Sequence, residues 1–204
     1  MTDASGPTAE RRGRPRSPAV DRAVIDTVLR LLTEGSSFAE LSMEGIARAA
    51  GVGKNTVYRR WSGKDALLLD VLATIEEPAP EPTGRTLHED LVLAVEWIRQ
   101  RSLAKRESAL MRNMQMQIQS SPELWQRYYD TFIVTRRKVL AQIMERGLAN
   151  GEIRADLADD VELLVDMVAG PLLTRAVQRP DEPLENDLAE RLVDTLLDGL
   201  RPRS

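Results

Sequence analysis

Apolar residues recur at three- and four-residue spacing along almost the whole chain, and no stretch alternates as a strand does, so the pattern predicts an all-α protein. Val20, Val24, Val28, Leu31 and Leu32 give one apolar face to a helix from Pro18 to Glu34. Ser17 is placed as its cap and Pro18 as its first residue, a favoured pairing, and Gly35 ends it. Met43, Ile46, Ala47 and Ala50 mark a short second helix capped by Ser42, with Leu41 and Ile46 as a hydrophobic staple. Gly51-Val52-Gly53 stops that helix. The first glycine can take positive φ, and the second lets the next helix leave at a steep angle. Residues 54–61 predict a short third helix with Val57 and Trp61 on one face. Ser62-Gly63-Lys64-Asp65 has the form of a capping box opening a fourth helix to Ile75, with Leu67, Leu68, Val71 and Leu72 apolar. Phe38 and Leu41 are expected to plug the small core between these helices.

Residues 76–85, EEPAPEPTGR, form a Pro/Glu-rich linker. Beyond it the pattern is again helical, with segments over about 87–101, 105–119, 122–150, 156–178 and 184–200. Ser121 and Asp156 are expected caps, and Gly170-Pro171 is expected to interrupt the fourth of these segments. The chain thus divides into an arm (1–16), a first helical domain (17–75), a linker (76–85) and a second helical domain (86–204).

Charge sharpens this division. The chain has 28 basic and 32 acidic residues, a net −4 that does not suggest a nucleic-acid binder. Residues 1–64 alone hold 11 Lys/Arg against 7 Asp/Glu, and the remainder holds 17 against 25. A basic head on an acidic body is the asymmetry of a DNA-binding module. Composition excludes other chemistry. There is no cysteine, so no disulfide, thiolate zinc site or catalytic thiol. His88 is the only histidine, and neither a Gly-rich phosphate loop nor H-E-x-x-H occurs, so an enzyme is not expected and no cofactor or metal is expected. An apolar leader core and a run approaching the ~18 residues of a membrane span are both lacking, which points to the cytoplasm.

Two helices, a tight turn and a basic, hydrogen-bonding second helix over residues 42–64 make a helix-turn-helix suited to a major groove. Its order of residues resembles the DNA-binding domain of the tetracycline-repressor (TetR) family. The resemblance rests on Ile46-Ala47, Ala50-Gly51-Val52, Lys54, Thr56-Val57-Tyr58, Trp61, Lys64 and Ala66-Leu67, within about residues 17–75. ERGLANGEIRAD, followed by an acidic helix containing AGPLL, resembles a C-terminal domain of many actinobacterial members. The family implies a three-helix DNA-binding head on a helical body that binds ligand and dimerises. It also implies a homodimer on a near-palindromic double-stranded operator, usually a repressor released by a small molecule.

Matched to the family residue by residue, Lys54, Asn55 and Thr56 lie where base edges are met: Lys54 facing guanine, Asn55 adenine, and the Thr56 methyl a thymine methyl. Tyr58, Arg60 and Lys64 fit phosphate roles. Ser42 either holds a phosphate or only caps; Arg59 either contacts phosphate or faces solvent; Trp61 is more often core. Glu44 can accept from cytosine but repels phosphate. Arg12-Gly13-Arg14-Pro15, flanked by Arg11 and Arg16, resembles the core of an AT-hook. Arg12 and Arg14 either enter an A·T minor groove or form part of a solvated basic tail.

In the body, Met111, Met114 and Met116 fall near Trp97, Trp125 and Tyr128. Such soft, adaptable side chains suit either an ordinary core or a pocket for an apolar or amphipathic ligand. Arg101, Gln115 and Thr174 are candidates for orienting it. Leu163, Leu164, Met167 and Val168, with Leu188, Leu192, Val193, Leu196 and Leu197, offer a dimer interface. A DNA-binding regulator without a small-molecule ligand is the alternative reading, ahead of a helical enzyme or a protein-interaction module.

Overall fold

The computed structural model describes residues 18–201, and among them no strand occurs. Four helices form the N-terminal part: α1 (Pro18–Thr33), α2 (Met43–Ala49), α3 (Lys54–Tyr58) and α4 (Lys64–Ile75). Six follow: α5 (Leu87–Glu107), α6 (Ala109–Gln119), α7 (Pro122–Tyr128), α8 (Val134–Ala149), α9 (Val161–Gln178) and α10 (Leu188–Leu200). A π-turn, Tyr129–Ile133, joins α7 to α8, and a 3₁₀ segment, Ala155–Asp160, precedes α9.

Local chemistry explains most ends. The Ser42, Thr86, Ser108 and Ser121 side chains each accept an N–H three residues on, at 3.0–3.3 Å, supplying partners that a helix start lacks. Gly51, at φ +67°, carries the turn between α2 and α3 in the left-handed region that a Cβ disfavours. The expected cap at Ser17 lies outside the described residues. The expected capping box at Ser62 does not form: α4 starts from Gly63 with no side-chain cap. Pro171 does not break α9. Leu164, Val168 and Leu172 hold the inner face of that helix in the core while Pro171 lies exposed on the outside, so one missing N–H bond is tolerated.

There are two cores. The first joins Val24 and Val28 of α1, Phe38, Ile46, Val57, Trp61 and the apolar face of α4. It also takes Met114 and Ile118 from α6 and Leu124 and Tyr128 from α7. The second is a bundle of α5, α8, α9 and α10 around Leu91, Val95, Ile143, Met144, Leu164, Val168, Val193 and Leu197. Between them, Asn113 of α6 clamps the α1–α2 loop. Its Oδ1 accepts from the Phe38 N–H at 3.3 Å, and its Nδ2 donates to the Ser36 carbonyl at 3.2 Å.

Candidate DNA interface and ligand cavity

Val57 and Trp61 anchor α3 in the first core, and the Trp61 indole donates to Asp70 at 2.8 Å. The remaining faces of α3 are therefore turned outward. Lys54, Asn55, Tyr58 and Arg59 are exposed, and Thr56 is half-buried. Glu44 of α2 faces them: the Lys54 ammonium lies 2.7 Å from its carboxylate, and the Tyr58 hydroxyl donates to it at 3.0 Å. Lys54 also sits 5.6 Å from the Tyr58 ring centre. The hydrogen bond from Lys54, then those from the backbone and Tyr58, hold the Glu44 carboxyl down at about 2, and Glu44 in turn raises both Lys54 and Tyr58.

Two of the expected phosphate ligands are engaged within the protein. Arg60 is ion-paired with Asp21 of α1 and bonds the Thr56 carbonyl at 3.3 Å, with its side chain only 9% exposed. That makes it a brace between α1 and α3 rather than a free phosphate anchor. Lys64 donates to the Ala39 carbonyl at 2.8 Å over the Phe38 ring, and burial lowers its pKa. Ser42 caps α2. Arg12 and Arg14 lie outside the described residues.

A cavity of about 460 Å³ lies between α5, α6, α8 and α9. Trp97, Arg101, Met111 and Gln115 line it, as expected of a pocket, and Met116 joins them. Met114 and Tyr128 do not; they are buried in the first core. Trp125, 40% exposed, borders a separate shallow depression with Gln119 and Pro122, and Thr174 is half-buried outside the lining. The methionine cluster is thus split, because Met114 and Ile118 share a face of α6 turned to the head.

The expected dimer surface is split too. Leu164, Val168, Leu188, Val193 and Leu197 are consumed by the second core, and Leu192 and Leu196 are half-buried beside it. Leu163 and Met167 are exposed, 50% and 42%, and Leu173 and Val177, exposed farther along α9, continue this apolar stripe to the mouth of the cavity, which they also line. The outward side of α10 is polar: Glu190, Arg191, Asp194 and Asp198.

Two acids absent from the sequence expectations organise the centre. Glu76 directly follows α4, has a side chain only 4% exposed, and is ion-paired with Arg101 and Lys105 of α5 and Arg136 of α8. Asp90 is buried on α5 and ties down the linker. It accepts from the Thr83 N–H and hydroxyl, both at 2.6 Å, and from the Gly84 N–H at 3.0 Å, while pairing with Arg146. Burial pulls the Asp90 carboxyl upward, but these hydrogen bonds outweigh it and leave the pKa lowered. In sequence both are ordinary acids beside prolines or in a helix; only the distant arginines distinguish them.

Known proteins share this plan. A family model described as "Bacterial regulatory proteins, tetR family" matches residues 25–71, and one described as "Tetracyclin repressor-like, C-terminal domain" matches residues 80–196. The uncharacterized HTH-type transcriptional regulator YdeS of Bacillus subtilis is 30% identical over 84% of this chain and 85% of its own length. The HTH-type transcriptional regulator AqdR of Rhodococcus erythropolis is 26% identical over 92% of this chain and 88% of its own. The solved structure of the TetR-family transcription regulator SCO0332 superposes with a TM-score of 0.62 at 28% identity, covering 90% of this chain and 99% of that one. The flavonoid-responsive regulator FrrA, at 21% identity and a TM-score of 0.66 over 92% of this chain and all of its own, shares the fold. With both family models matched in order and a relative alike over most of its length, the chain belongs to the tetracycline-repressor family of DNA-binding transcriptional regulators.

Proposed function

We propose that the protein is a cytoplasmic repressor acting as a homodimer on a near-palindromic operator, and that an apolar or amphipathic small molecule in the body releases it. The observation that carries this reading is the pairing of an outward, polar α3 with an apolar cavity one ion-pair layer from the end of α4. We assign the DNA-binding head to residues 17–75, the linker to 76–85, and sensing and dimerisation to 86–204.

Lys54, Asn55 and Thr56 read base edges from the first turn of α3, and Tyr58 and Arg59 meet phosphate. Lys64 reaches phosphate by leaving the Ala39 carbonyl. The arm, through Arg12 and Arg14, adds affinity on A·T-rich flanks. Leu163, Met167, Leu173 and Val177 of α9 meet their two-fold equivalents, setting the two α3 helices about one DNA turn, roughly 34 Å, or a multiple apart. Trp97, Met111 and Gln115 contact the ligand.

The test uses DNA fragments that the protein retains from a random pool. Asn55→Ala relaxes preference at one base pair per half-site, by about 1–3 kcal/mol each. Lys64→Ala weakens retained and random DNA alike and flattens the salt dependence by about one unit per head. Equal losses from both variants on both DNAs overturn the division of roles.

A further inference from the structure

We propose that the cavity selects an organic anion, an apolar body carrying a carboxylate or sulfonate, and that this anion takes Arg101 and Arg136 from Glu76. The inference rests on the small-molecule reading above and names the chemistry of its ligand.

Charge is the first argument. Among the described residues, six basic and no acidic ones line the cavity, and one of the six, Arg112, is turned to the Arg106 carbonyl. Arg137 is answered outside it by Glu162 and Asp166. Arg106 is held by the carbonyls of Arg175, Arg179 and Glu182. Among the described residues Glu76 is the one carboxylate paired with Arg101, Lys105 and Arg136, and Lys105 also donates to the Tyr128 hydroxyl at 3.3 Å. Arg101 and Arg136 are 13% and 18% exposed, so one carboxylate faces three cations where water screens poorly. An incoming anion reduces that excess.

Donor geometry is the second. Trp97, Arg101 and Lys105 lie four apart on one face of α5. Among the described residues the Trp97 Nε1 and Arg101 Nε hydrogens are buried without an acceptor, and the Arg136 guanidinium lies over the Trp97 ring, 5.2 Å from its centre. A planar guanidinium fork matches a carboxylate or sulfonate edge, and Ile98, Met111 and Leu140 offer the apolar body a dry wall.

The position of Glu76 supplies the consequence. Its N–H closes the last turn of α4 on the Leu72 carbonyl at 2.8 Å, and α4 carries Leu67, Leu68, Val71 and Leu72 into the head core. While Glu76 bridges Arg101 and Arg136, the end of α4 is fixed to α5 and α8. An anion that takes those arginines frees it. The anion then binds best to the state whose heads are released, and by reciprocity DNA weakens the anion.

Two fluorescent probes share one apolar skeleton: 8-anilinonaphthalene-1-sulfonate, an anion, and N-phenyl-1-naphthylamine, which is neutral. The intact protein is expected to bind the sulfonate at least about tenfold more tightly, as charge-assisted hydrogen bonds imply. The sulfonate, and not the amine, should release a retained DNA fragment. Glu76→Gln removes the competitor, so sulfonate affinity should rise several-fold with the neutral probe unchanged; a purely structural role lowers both alike. Ala169→Trp, which fills the cavity, should abolish both. Equal binding of the two probes overturns the anion inference while leaving a small-molecule sensor intact. Binding of neither overturns the sensor reading itself. Sulfonate binding that survives Ala169→Trp, or falls in Glu76→Gln, overturns the site or the competition.

Discussion

Glu44 and Lys54 are ten positions apart in sequence and 2.7 Å apart across the helix-turn-helix. On the proposed reading, in which Lys54 meets a base edge, Lys54 has to leave this partner, and Glu44 holds it in place of DNA until then. Its lowered pKa fixes the pH range. A carboxyl depressed to about 2 keeps the pair complete above the ordinary carboxylate range and loses it only as pH falls through that value. Acidification within a working range therefore leaves the pair in place, and substitution is the way to remove it. Glu44→Gln is expected to raise affinity for random DNA and steepen the salt dependence by about one unit per head, read from binding isotherms at several salt concentrations. Unchanged affinity on random DNA would show that Lys54 was already free. Much at this scale was legible in the sequence. Val57 and Trp61 are core, Ser42 caps, and Lys54 and Asn55 face outward, because each follows from helical periodicity and local capping. The pairing of Arg60 with Asp21 was not, since the partners are 39 positions apart and periodicity carries no information on which charges meet.

Elements were legible in number and order, and their joints less so. The segment read as one helix from Pro122 to about Asn150 is helical throughout, but its middle, Tyr129–Ile133, widens into a π-turn between α7 and α8. The five residues of that turn are apolar or polar like their neighbours, so nothing local marks it. Its effect is geometric. It lets α7 give Leu124 and Tyr128 to the first core while α8 gives Leu140, Ile143 and Met144 to the second. The Pro/Glu-rich linker is likewise more than a spacer, because Asp90 holds Thr83 and Gly84 against α5. Its pKa is depressed, so this support is complete above the ordinary carboxylate range and is lost as pH falls below it. Asp90→Asn leaves Arg146 without its charge partner and should cost about 3 kcal/mol, seen in urea unfolding at neutral pH. Below pH 4 the gap between variant and parent should narrow. A constant gap across that range would mean that the acid acts by shape alone.

For the whole molecule, the exposed apolar residues of α9 are the strongest argument for a partner copy. A double variant, Leu163→Glu with Met167→Glu, should raise the dimer dissociation constant by roughly thirtyfold or more and weaken operator binding, with helix content unchanged. Sedimentation velocity against concentration checks this, and an unchanged dimer moves the interface off this stripe. The arrangement of the two cores has a different consequence. Met114, Ile118, Leu124 and Tyr128 complete the head from within the body. Cutting the chain at residues 76–85 is therefore expected not to give two parts that melt separately. The intact protein should show one calorimetric transition, and a fragment ending at Arg85 should lack a cooperative one. Exchange of parts between relatives is constrained in the same way. A head grafted onto a foreign body keeps its DNA-reading helix but loses part of its floor, so a viable graft has to carry α6 and α7 along with the first four helices.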